Sequence, residues 1–443
     1  MLLTKLREMT DGKRVLLLGF GREGRSLYKR LSAVGGYAAL GIADQNPVSD
    51  APEGVSLHIG SDYQNAMREY DVVFKSPGIV LKDGSKPEQL SCRVTSLTEL
   101  FLSAYRDQCI GITGTKGKST TSSLLYHVLQ TAKIPSVLGG NIGIPTADLY
   151  EQITPETVIV LEIGVHQLEY NHVSPKIAVF LNLYEEHLDH YGTFEYYAYC
   201  KENIYRNQRP GDLLICGQEG LPEAGDCAAE VLRLRKDDPA ADVTLLHGDT
   251  VCCGGSSLKL PEDMLLTGEH NRYNCAAVYA LAKRCGCSDA DIYEGIRTFS
   301  PLPHRLSFVG TYSGIRWYDD SISTACETCI QALTALPETD TVLIGGMDRG
   351  INYTPLIEYL AASPVPHIIL MSDSGSRIYE ESAAYAELRD RMQYAKGMPE
   401  AVALAKQITA KGKICLMSPA AASYNVYKNF EERGRHFQEL IKE

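Results

Sequence analysis

The chain alternates short apolar runs with longer segments in which apolar residues recur at helical spacing. Residues 15–18 and 109–112 are two such runs, and each is followed by a glycine-containing turn and a helix-like segment. Short runs of this kind are typical of parallel strands that are buried on both faces. The alternation therefore predicts an α/β protein with parallel-rich sheets.

The order of the runs predicts three domains. Residues 1–97 and 301–443 are each expected to form a Rossmann-like domain, and residues 98–300 a central P-loop domain with a parallel-rich sheet. No low-complexity linker or internal repeat separates these blocks. The predicted strands lie at residues 14–18, 38–43, 71–75, 109–112, 157–161, 177–181, 315–318, 341–344, 368–371 and 414–417.

The most specific signal is the turn at residues 114–120, which reads Gly-Thr-Lys-Gly-Lys-Ser-Thr. A strand, a glycine loop, a lysine and a helix in this order form a phosphate cradle of backbone N–H groups at a helix N-terminus. Lys118 supplies a mobile positive charge, and Ser119 or Thr120 can offer an oxygen to magnesium. The usual pattern expects glycine where Ile112 stands, so the loop is shortened. We expect it to bind a nucleoside triphosphate; the alternative is a glycine-rich turn with a surface lysine.

Polar side chains follow the next two strands of the central block. Glu162 comes directly after residues 157–161, where a carboxylate can hold magnesium beside the loop hydroxyl. Its alternative interpretation is a solvated strand-end carboxylate. Residues 182–190 follow the next strand and contain three carboxylates and two histidines. So dense a cluster indicates a second metal or substrate site, with His187 as the candidate ligand.

The first glycine turn also has the spacing of a ligand site. Gly19, Gly21 and Gly24, with Asp44 after the next strand, match the dinucleotide fingerprint. The second glycine loop follows before a six-stranded fold is complete, and hydride transfer has no use for a triphosphate loop. We therefore expect a different pyrophosphate ligand, a sugar nucleotide, and keep an NAD-binding oxidoreductase as the alternative.

Two later segments carry weaker signals. Lys201 lies in an aromatic-rich segment that predicts a helix, and its spacing alone is that of an ordinary surface lysine. Asn271 and Asn274 are one helical turn apart, so both amides can face one side and read a purine edge. A helix cap is the alternative for Asn271.

Composition narrows the class of protein. With 44% apolar and 22% charged residues, no apolar run of about 20 residues and no signal-peptide core, we expect a cytoplasmic protein without a membrane partner. A net charge of −12 argues against a nucleic-acid partner. The 13 cysteines lack paired zinc-site spacing and are expected to be reduced structural thiols.

Together these motifs resemble the Mur ligases, the ATP-dependent amide-forming enzymes of peptidoglycan precursor synthesis. The resemblance covers nearly the whole chain and is closest to the members that add glutamate to UDP-N-acetylmuramoyl-L-alanine. It is carried by residues 76–78, 114–120, 140–143, 187, 201, 270–274, 302–305, 320–321, 345–346, 418–419 and 428–434.

The resemblance implies a role for each matched residue, with Lys118, Glu162, His187 and Lys201 as the catalytic group. ATP would be bound by Gly114, Thr115, Lys116, Gly117, Lys118, Ser119, Thr120, Asn271, Asn274, Arg305 and Asp320. Two Mg²⁺ ions would be held by Ser119, Thr120, Glu162, His187 and a carbamylated Lys201. The substrates would contact Gly19, Gly21, Gly24, Asp44, Ser76, Pro77, Gly78, Asn141, Gln167, Thr324, Arg349, Ser423, Tyr424 and Asn429.

It also implies the chemistry and the setting. The alanyl carboxylate would become an acyl phosphate, which the amine of the incoming amino acid displaces while domain closure excludes water. The protein would be a cytoplasmic monomer acting in cell-wall biogenesis, and so in cell shape and cell division.

Three departures from the family pattern affect the substrate. Gly164 and Val165 replace serines that face the muramoyl substrate in relatives, and His166 replaces a phenylalanine. Ile322 replaces a lysine, and Arg349 takes the position of a glutamate-binding lysine. We predict D-glutamate as the added amino acid, with L-glutamate as the alternative.

Other functions share parts of this pattern. Ligases that add alanine, diaminopimelate or lysine have the same ATPase core, as does folylpolyglutamate synthase, which normally begins with the phosphate loop and so lacks the Gly19 domain. A non-catalytic nucleotide-binding module would keep Lys118 but need neither His187 nor the asparagine pair.

Overall fold

A computed structural model describes residues 1–82, 85–142, 144–217, 222 and 227–443. For Asp189 it describes only the backbone. This part of the chain contains three sheets in two compact units. One unit comprises residues 1–261 and 273–296 and holds the first two sheets; the other comprises residues 262–272 and 297–443 and holds the third. The predicted fold class, α/β with parallel-rich sheets, is confirmed. The boundaries after residues 97 and 300 stay predictions.

The first sheet is fully parallel and Rossmann-like. Its elements are α1 (Leu2–Thr10), β1 (Arg14–Leu18), α2 (Arg22–Val34), β2 (Ala39–Asp44), β3 (Ser56–Ile59), β4 (Val72–Lys75), β5 (Arg93–Thr95) and α3 (Leu97–Tyr105). The strand order is β3-β2-β1-β4-β5. Because β1 is central, the glycine turn after it opens at the carboxyl edge between β2 and β4. The sequence prediction missed β3, whose side chains are largely exposed, and the very short β5.

The second sheet has nine strands. Its strands are β6 (Cys109–Thr113), β7 (Ser136–Gly140), β8 (Val158–Glu162), β9 (Ile177–Phe180), β10 (Leu213–Cys216), β11 (Glu230–Lys236), β12 (Val243–Leu246), β13 (Thr250–Cys253) and β14 (Ser256–Lys259). The helices that follow in this region are α4 (Lys118–Thr131), α5 (Val165–Leu168), α6 (Leu188–Tyr191), α7 (Phe194–Glu202), α8 (Glu269–Arg284) and α9 (Asp289–Thr298).

The order of this sheet is β14-β13-β12-β11-β10-β9-β6-β8-β7, parallel from β7 to β12 and antiparallel at β13 and β14. β6 therefore lies between β8 and β9, and residues at the carboxyl ends of those two strands flank the loop that follows β6. The sequence prediction missed β7 and the strands from β10 to β14. β11, β13 and β14 are largely half-exposed, whereas β10 is fully buried and has an apolar run like those of the predicted strands.

The third sheet lies in the second unit and is also mainly parallel. Its elements are β15 (Ser307–Tyr312), β16 (Ile315–Asp319), α10 (Cys326–Ala335), β17 (Thr339–Gly345), α11 (Thr354–Ala362), β18 (His367–Met371), α12 (Ser372–Glu381), α13 (Ala386–Arg389), β19 (Met392–Ala395), α14 (Met398–Ile408), β20 (Ile414–Met417) and α15 (Phe430–Leu440). The order is β15-β16-β20-β17-β18-β19, with β15 antiparallel to its neighbour. The prediction located four of these strands and missed the half-exposed β15 and β19.

Among the described residues, no helix combines the length and apolar character that crossing a membrane requires.

Candidate active site

The loop between β6 and α4 has the backbone of a phosphate cradle. Gly114 and Gly117 both have positive φ angles, 154° and 84°, and α4 starts directly after Gly117. A Cβ atom at Gly117 would lie 2.8 Å from Oδ1 of Asn274, which is itself buried. Glycine is therefore required for both conformation and space. The predicted order of strand, glycine loop and helix is confirmed.

Lys118 is held over this loop by backbone carbonyl groups. Its Nζ donates to the carbonyl oxygens of Gly114 at 2.8 Å and Thr115 at 2.9 Å. The next residue, Ser119, is buried, whereas Thr120 is half-buried. The ammonium group thus lies beside the N-terminus of α4, where a helix dipole favours an anion.

Lys201 reaches the same loop from α7. Its side chain is buried, Nζ donates to the Gly114 carbonyl oxygen at 2.9 Å, and it lies 4.9 Å from the ring centroid of Tyr197. Burial, with Lys118 and Lys116 nearby, holds the pKa of Lys201 well below its ordinary value. The helix prediction is confirmed, but the surface interpretation of Lys201 is wrong, because α7 turns this face toward the loop.

The residues after β9 brace the phosphate loop from one side. Asn182 accepts from the Lys116 backbone N–H through Oδ1 at 2.8 Å and donates from Nδ2 to the Lys116 carbonyl oxygen at 3.1 Å. The Lys116 ammonium contacts Glu186 Oε1 at 2.7 Å. Burial pushes the pKa of Glu186 upward, but Lys116, His187 and Lys118 outweigh it and lower the pKa to about 2. Sequence reasoning did not single out Glu186 within its cluster.

Glu162 lies on the other side of β6, at the end of β8. It is 1% exposed, and its Oε1 accepts from Asn141 Nδ2 at 2.8 Å. Within the described part of the chain Oε2 is buried without a hydrogen-bond partner. The solvated-carboxylate interpretation is therefore wrong. A buried carboxylate oxygen with no donor is suited to a hard cation such as Mg²⁺. Gly143, part of the motif that contains Asn141, lies outside the described residues.

Three histidines gather behind the loop. The ring centroid of His166 lies 4.8 Å from that of His187 and 4.5 Å from that of His190, and its Nδ1 is 2.7 Å from the Tyr191 hydroxyl oxygen. Burial, reinforced by the two neighbouring imidazoles, lowers the pKa of His166 to about 3. His187 Nε2 lies 3.7 Å from Glu186 Oε2. His187 and His190 of the predicted cluster therefore lie together, joined by His166 from outside it. The metal role of the cluster stays a prediction, and the side chain of Asp189 lies outside the described residues.

A pocket of about 610 Å³ opens at the carboxyl edge of the first sheet. Gly19 has a φ angle of 95°, a conformation that favours glycine. A Cβ atom at Gly24 would lie 2.3 Å from the Gly19 carbonyl oxygen, so Gly24 is required for space. Asp44 accepts backbone N–H groups from Phe20 and Asn46, each at 2.9 Å. The predicted substrate residues that line the pocket are Gly19, Gly21, Asp44, Ser76, Pro77 and Gly78.

The short helix α5 connects this pocket with the second sheet. Gln167 donates from Nε2 to Glu23 Oε1 at 3.0 Å, and burial raises the pKa of Glu23. Two residues further on, Glu169 contacts Lys75 at 3.0 Å and His190 at 3.2 Å. All of these residues belong to the first unit. Their sequence neighbours gave no sign of these pairings, because each partner comes from a distant part of the chain.

Several predicted residues belong to the second unit, including Asn271, whose Nδ2 donates to the Thr267 carbonyl oxygen at 2.7 Å. Asp320 is buried and accepts from the Leu306 backbone N–H at 3.1 Å and the Ser418 hydroxyl at 2.8 Å. Burial raises its pKa to about 7. Arg305 is half-buried, and its positive charge acts on the Asp320 carboxyl group and opposes this rise. The reading of adenine by Asn271 and Asn274, and the ATP contacts of Asp320 and Arg305, stay predictions.

The residues predicted to receive the amino acid also lie in the second unit. The Met347 backbone N–H donates to the Ala422 carbonyl oxygen at 2.8 Å, which brings the loop of Arg349 to the segment that begins at Ser423. Asn429 caps α15 by accepting from the Glu432 backbone N–H at 2.8 Å. Arg349 and Thr324 are half-buried, Ser423 is buried and Tyr424 is 66% exposed.

Comparisons with known proteins agree with this arrangement. Residues 112–282 match the family model described as the Mur ligase middle domain. The UDP-N-acetylmuramoylalanine--D-glutamate ligase of Symbiobacterium thermophilum is 34% identical over 88% of each chain, and that of Geobacillus kaustophilus is 31% identical over 96% of each. Among solved structures, MurF from Acinetobacter baumannii has a TM-score of 0.62 at 18% identity, over 99% of this chain and 92% of that one. MurC from Thermotoga maritima has a TM-score of 0.58 at 19% identity, over 96% and 98%. The chain belongs to the Mur ligase family.

Proposed function

We propose that this protein is an ATP-dependent ligase that joins D-glutamate to UDP-N-acetylmuramoyl-L-alanine in peptidoglycan precursor synthesis. One observation carries the proposal: the phosphate loop contacts the buried amine of Lys201, and the strand before the loop pairs with the strand that ends in Glu162. The buried Oε2 of Glu162 has no hydrogen-bond partner within the described residues. Two relatives that are 34% and 31% identical are both named UDP-N-acetylmuramoylalanine--D-glutamate ligase, which supports the choice of substrates.

The reaction needs ATP because a free carboxylate is a poor electrophile. The alanyl carboxylate attacks the γ-phosphate to give an acyl phosphate and ADP, and the amine of glutamate then displaces phosphate to form the amide. Lys118 would exchange its carbonyl contacts with Gly114 and Thr115 for phosphate oxygens, and the backbone N–H groups at the start of α4 would complete the cradle.

The hydroxyl oxygens of Ser119 and Thr120 and the carboxylate of Glu162 fit Mg²⁺ by donor type. Ser119 or Thr120, with Glu162, would hold one ion, and His187 with a modified Lys201 would hold a second. The unpartnered Oε2 of Glu162 is the observation that favours the first site. When bound, Mg²⁺ would neutralise negative charge that accumulates among the phosphates and the carboxylate.

Carbamylation would turn Lys201 into an anionic ligand. The direction of its pKa favours the uncharged amine, which can attack carbon dioxide and lose one proton as the carbamate forms. The negative carbamate would then lie near the positive side chains of Lys116 and Lys118. These two positive charges therefore favour an anionic carbamate over an unmodified ammonium group at this buried position.

The pocket of the first sheet would take the sugar nucleotide, with its pyrophosphate at the N-terminus of α2. The loops around Arg349 and Ser423 would take the amino acid. NAD binding has no further support, since the first sheet has five strands and its fingerprint residues serve a sugar nucleotide equally well.

A phosphate-release assay tests the proposal. Purified protein, Mg²⁺, ATP and UDP-N-acetylmuramoyl-L-alanine are incubated with a panel that contains D-glutamate, L-glutamate, alanine, lysine and diaminopimelate. Release that depends on both UDP-N-acetylmuramoyl-L-alanine and D-glutamate is expected, and the Lys118→Ala variant serves as the inactive control. Release that is independent of the sugar nucleotide would contradict the proposal.

A further inference from the structure

His166 lies beside His187, one of the residues that are proposed to hold Mg²⁺. Its ring contacts that of His187, at 4.8 Å between centroids, and stacks on Tyr191 at 5.5 Å with an angle of 12° between the rings. It follows Glu162 by four residues along the chain, and it directly precedes Gln167, which bonds to Glu23. α5 therefore places His166 on the stretch of chain that connects the sugar-nucleotide pocket with the phosphate loop.

The contact with Tyr191 determines which ring nitrogen of His166 carries the proton. The Tyr191 side chain is buried, and within the described part of the chain its hydroxyl has a single hydrogen-bond partner, His166 Nδ1 at 2.7 Å. A buried O–H group requires an acceptor, so Tyr191 donates and Nδ1 accepts. The proton of the neutral ring is then on Nε2.

This assignment leaves one donor of His166 for a ligand. Within the described residues Nε2 has no hydrogen-bond partner, and the side chain is only half-buried, so a ligand can reach it. A neutral N–H group can orient a carboxylate oxygen without neutralising its charge. That property suits the first step of the reaction, in which the carboxylate must remain nucleophilic.

We propose that His166 is a substrate-binding residue whose Nε2–H donates a hydrogen bond to the reacting carboxylate of the acyl substrate. Tyr191 acts as a positioning residue, because it fixes the tautomer and the plane of the imidazole ring. This inference rests on the proposed function and adds to it a contact for the reacting group.

Three substitutions separate the two ring nitrogens. In His166→Gln the amide nitrogen can occupy the place of Nε2, in His166→Asn an amide can reach only the place of Nδ1, and His166→Phe keeps the ring without either nitrogen. The matched control is His172→Phe, since the His172 side chain is 72% exposed. Thermal unfolding establishes that each variant is folded.

Steady-state kinetics and calorimetry supply the readouts. The Asn and Phe variants should lose about 10–100-fold in kcat/KM for UDP-N-acetylmuramoyl-L-alanine, the effect of losing a hydrogen bond to a charged group. The Gln variant should recover most of that loss, and the KM for ATP and the affinity for UDP, which lacks the carboxylate, should not change. If the Phe variant does not fold, the comparison of Gln with Asn decides.

The outcomes also distinguish this inference from the proposed function. Equal kinetics for the Gln and Asn variants, or an equal loss toward UDP, would overturn the role of His166 and leave the ligase activity standing. If wild-type protein forms no amide at all, the proposed function fails. Binding of UDP-N-acetylmuramoyl-L-alanine relative to UDP would still show whether His166 contacts the acyl group.

Discussion

Lys201 donates a hydrogen bond from Nζ to the carbonyl oxygen of Gly114 at 2.9 Å, although the two residues are 87 positions apart in the chain. The same oxygen accepts from Lys118 at 2.8 Å. Two fully charged ammonium groups on one buried acceptor would repel each other strongly. The arrangement is favourable when Lys201 is neutral, which agrees with the direction of its pKa.

Replacing Lys201 should therefore remove a ligand rather than a cation. We expect Lys201→Ala to lower kcat by about 100-fold or more, since the proposed anionic carbamate, which would act as a Mg²⁺ ligand in the transition state, is lost. Short carboxylates should partly restore activity by entering the vacated space and supplying the missing anion. Lys442→Ala, at an exposed position, is the control. Activity of Lys201→Ala close to wild type would exclude the proposed role.

Lys118→Ala tests whether the two ligands bind independently. Loss of the loop ammonium should reduce turnover by about 10²–10³-fold, the range found when one transition-state donor is removed. Among the described residues, the pocket of the first sheet is lined by that sheet and its loops, so the affinity for UDP-N-acetylmuramoyl-L-alanine should stay nearly unchanged. Calorimetric titration measures this affinity. A parallel fall in turnover and in the affinity for UDP-N-acetylmuramoyl-L-alanine would mean that Lys118 supports the fold rather than the binding of phosphates.

Glu162→Gln changes one oxygen of a buried carboxylate into an amide nitrogen. The Asn141 contact can persist, because the remaining oxygen still accepts, but the site loses its negative charge. We expect a fall of at least about 10-fold in turnover and a higher Mg²⁺ concentration for half-maximal rate. Glu156→Gln, on an exposed side chain, controls for loss of a surface charge. An unchanged Mg²⁺ dependence would count against the metal role of Glu162.

Gly21 and Gly24 make a matched pair for the first pocket. A Cβ atom at Gly21 meets nothing within 4 Å, so Gly21→Leu should fold normally and raise the KM for the sugar nucleotide while leaving that for ATP nearly unchanged. At Gly24 a Cβ atom would lie 2.3 Å from the Gly19 carbonyl oxygen, so Gly24→Ala should instead lower the melting temperature. If Gly21→Leu raises the KM for ATP more than the KM for the sugar nucleotide, the assignment of the two nucleotides to the two sheets is wrong.

The sequence predicted the phosphate loop and the strand ends because both are local patterns. The glycine loop, Glu162 and His187 each follow an apolar run, and parallel strands bring their carboxyl ends to one edge. The burial of Lys201 could not be predicted this way, because it depends on α7 packing against a loop that is distant in sequence. The same reason hid the contacts of Lys75 with Glu169 and of Gln167 with Glu23.

Arg349 provides the test of the amino-acid substrate. Glutamate has two carboxylates and the protein has a net charge of −12, so the glutamate pocket needs local hydrogen-bond donors. Arg349 is half-buried, in a loop that is hydrogen-bonded to the chain just before Ser423. A guanidinium group can bind a carboxylate through two parallel hydrogen bonds. We expect Arg349→Ala to cost about 2–4 kcal/mol in kcat/KM for glutamate, because a carboxylate would lose its charged partner.

Arg349→Lys separates charge from geometry and should recover only part of that loss, since lysine offers a single point charge. The KM for ATP should not change in either variant. Both enantiomers are assayed in parallel, because a carboxylate clamp alone does not select a configuration at the α-carbon. We expect a clear preference for D-glutamate in the wild type. Preference for L-glutamate or for an uncharged amino acid would overturn the substrate assignment, while the acyl-phosphate chemistry at the central loop would stand.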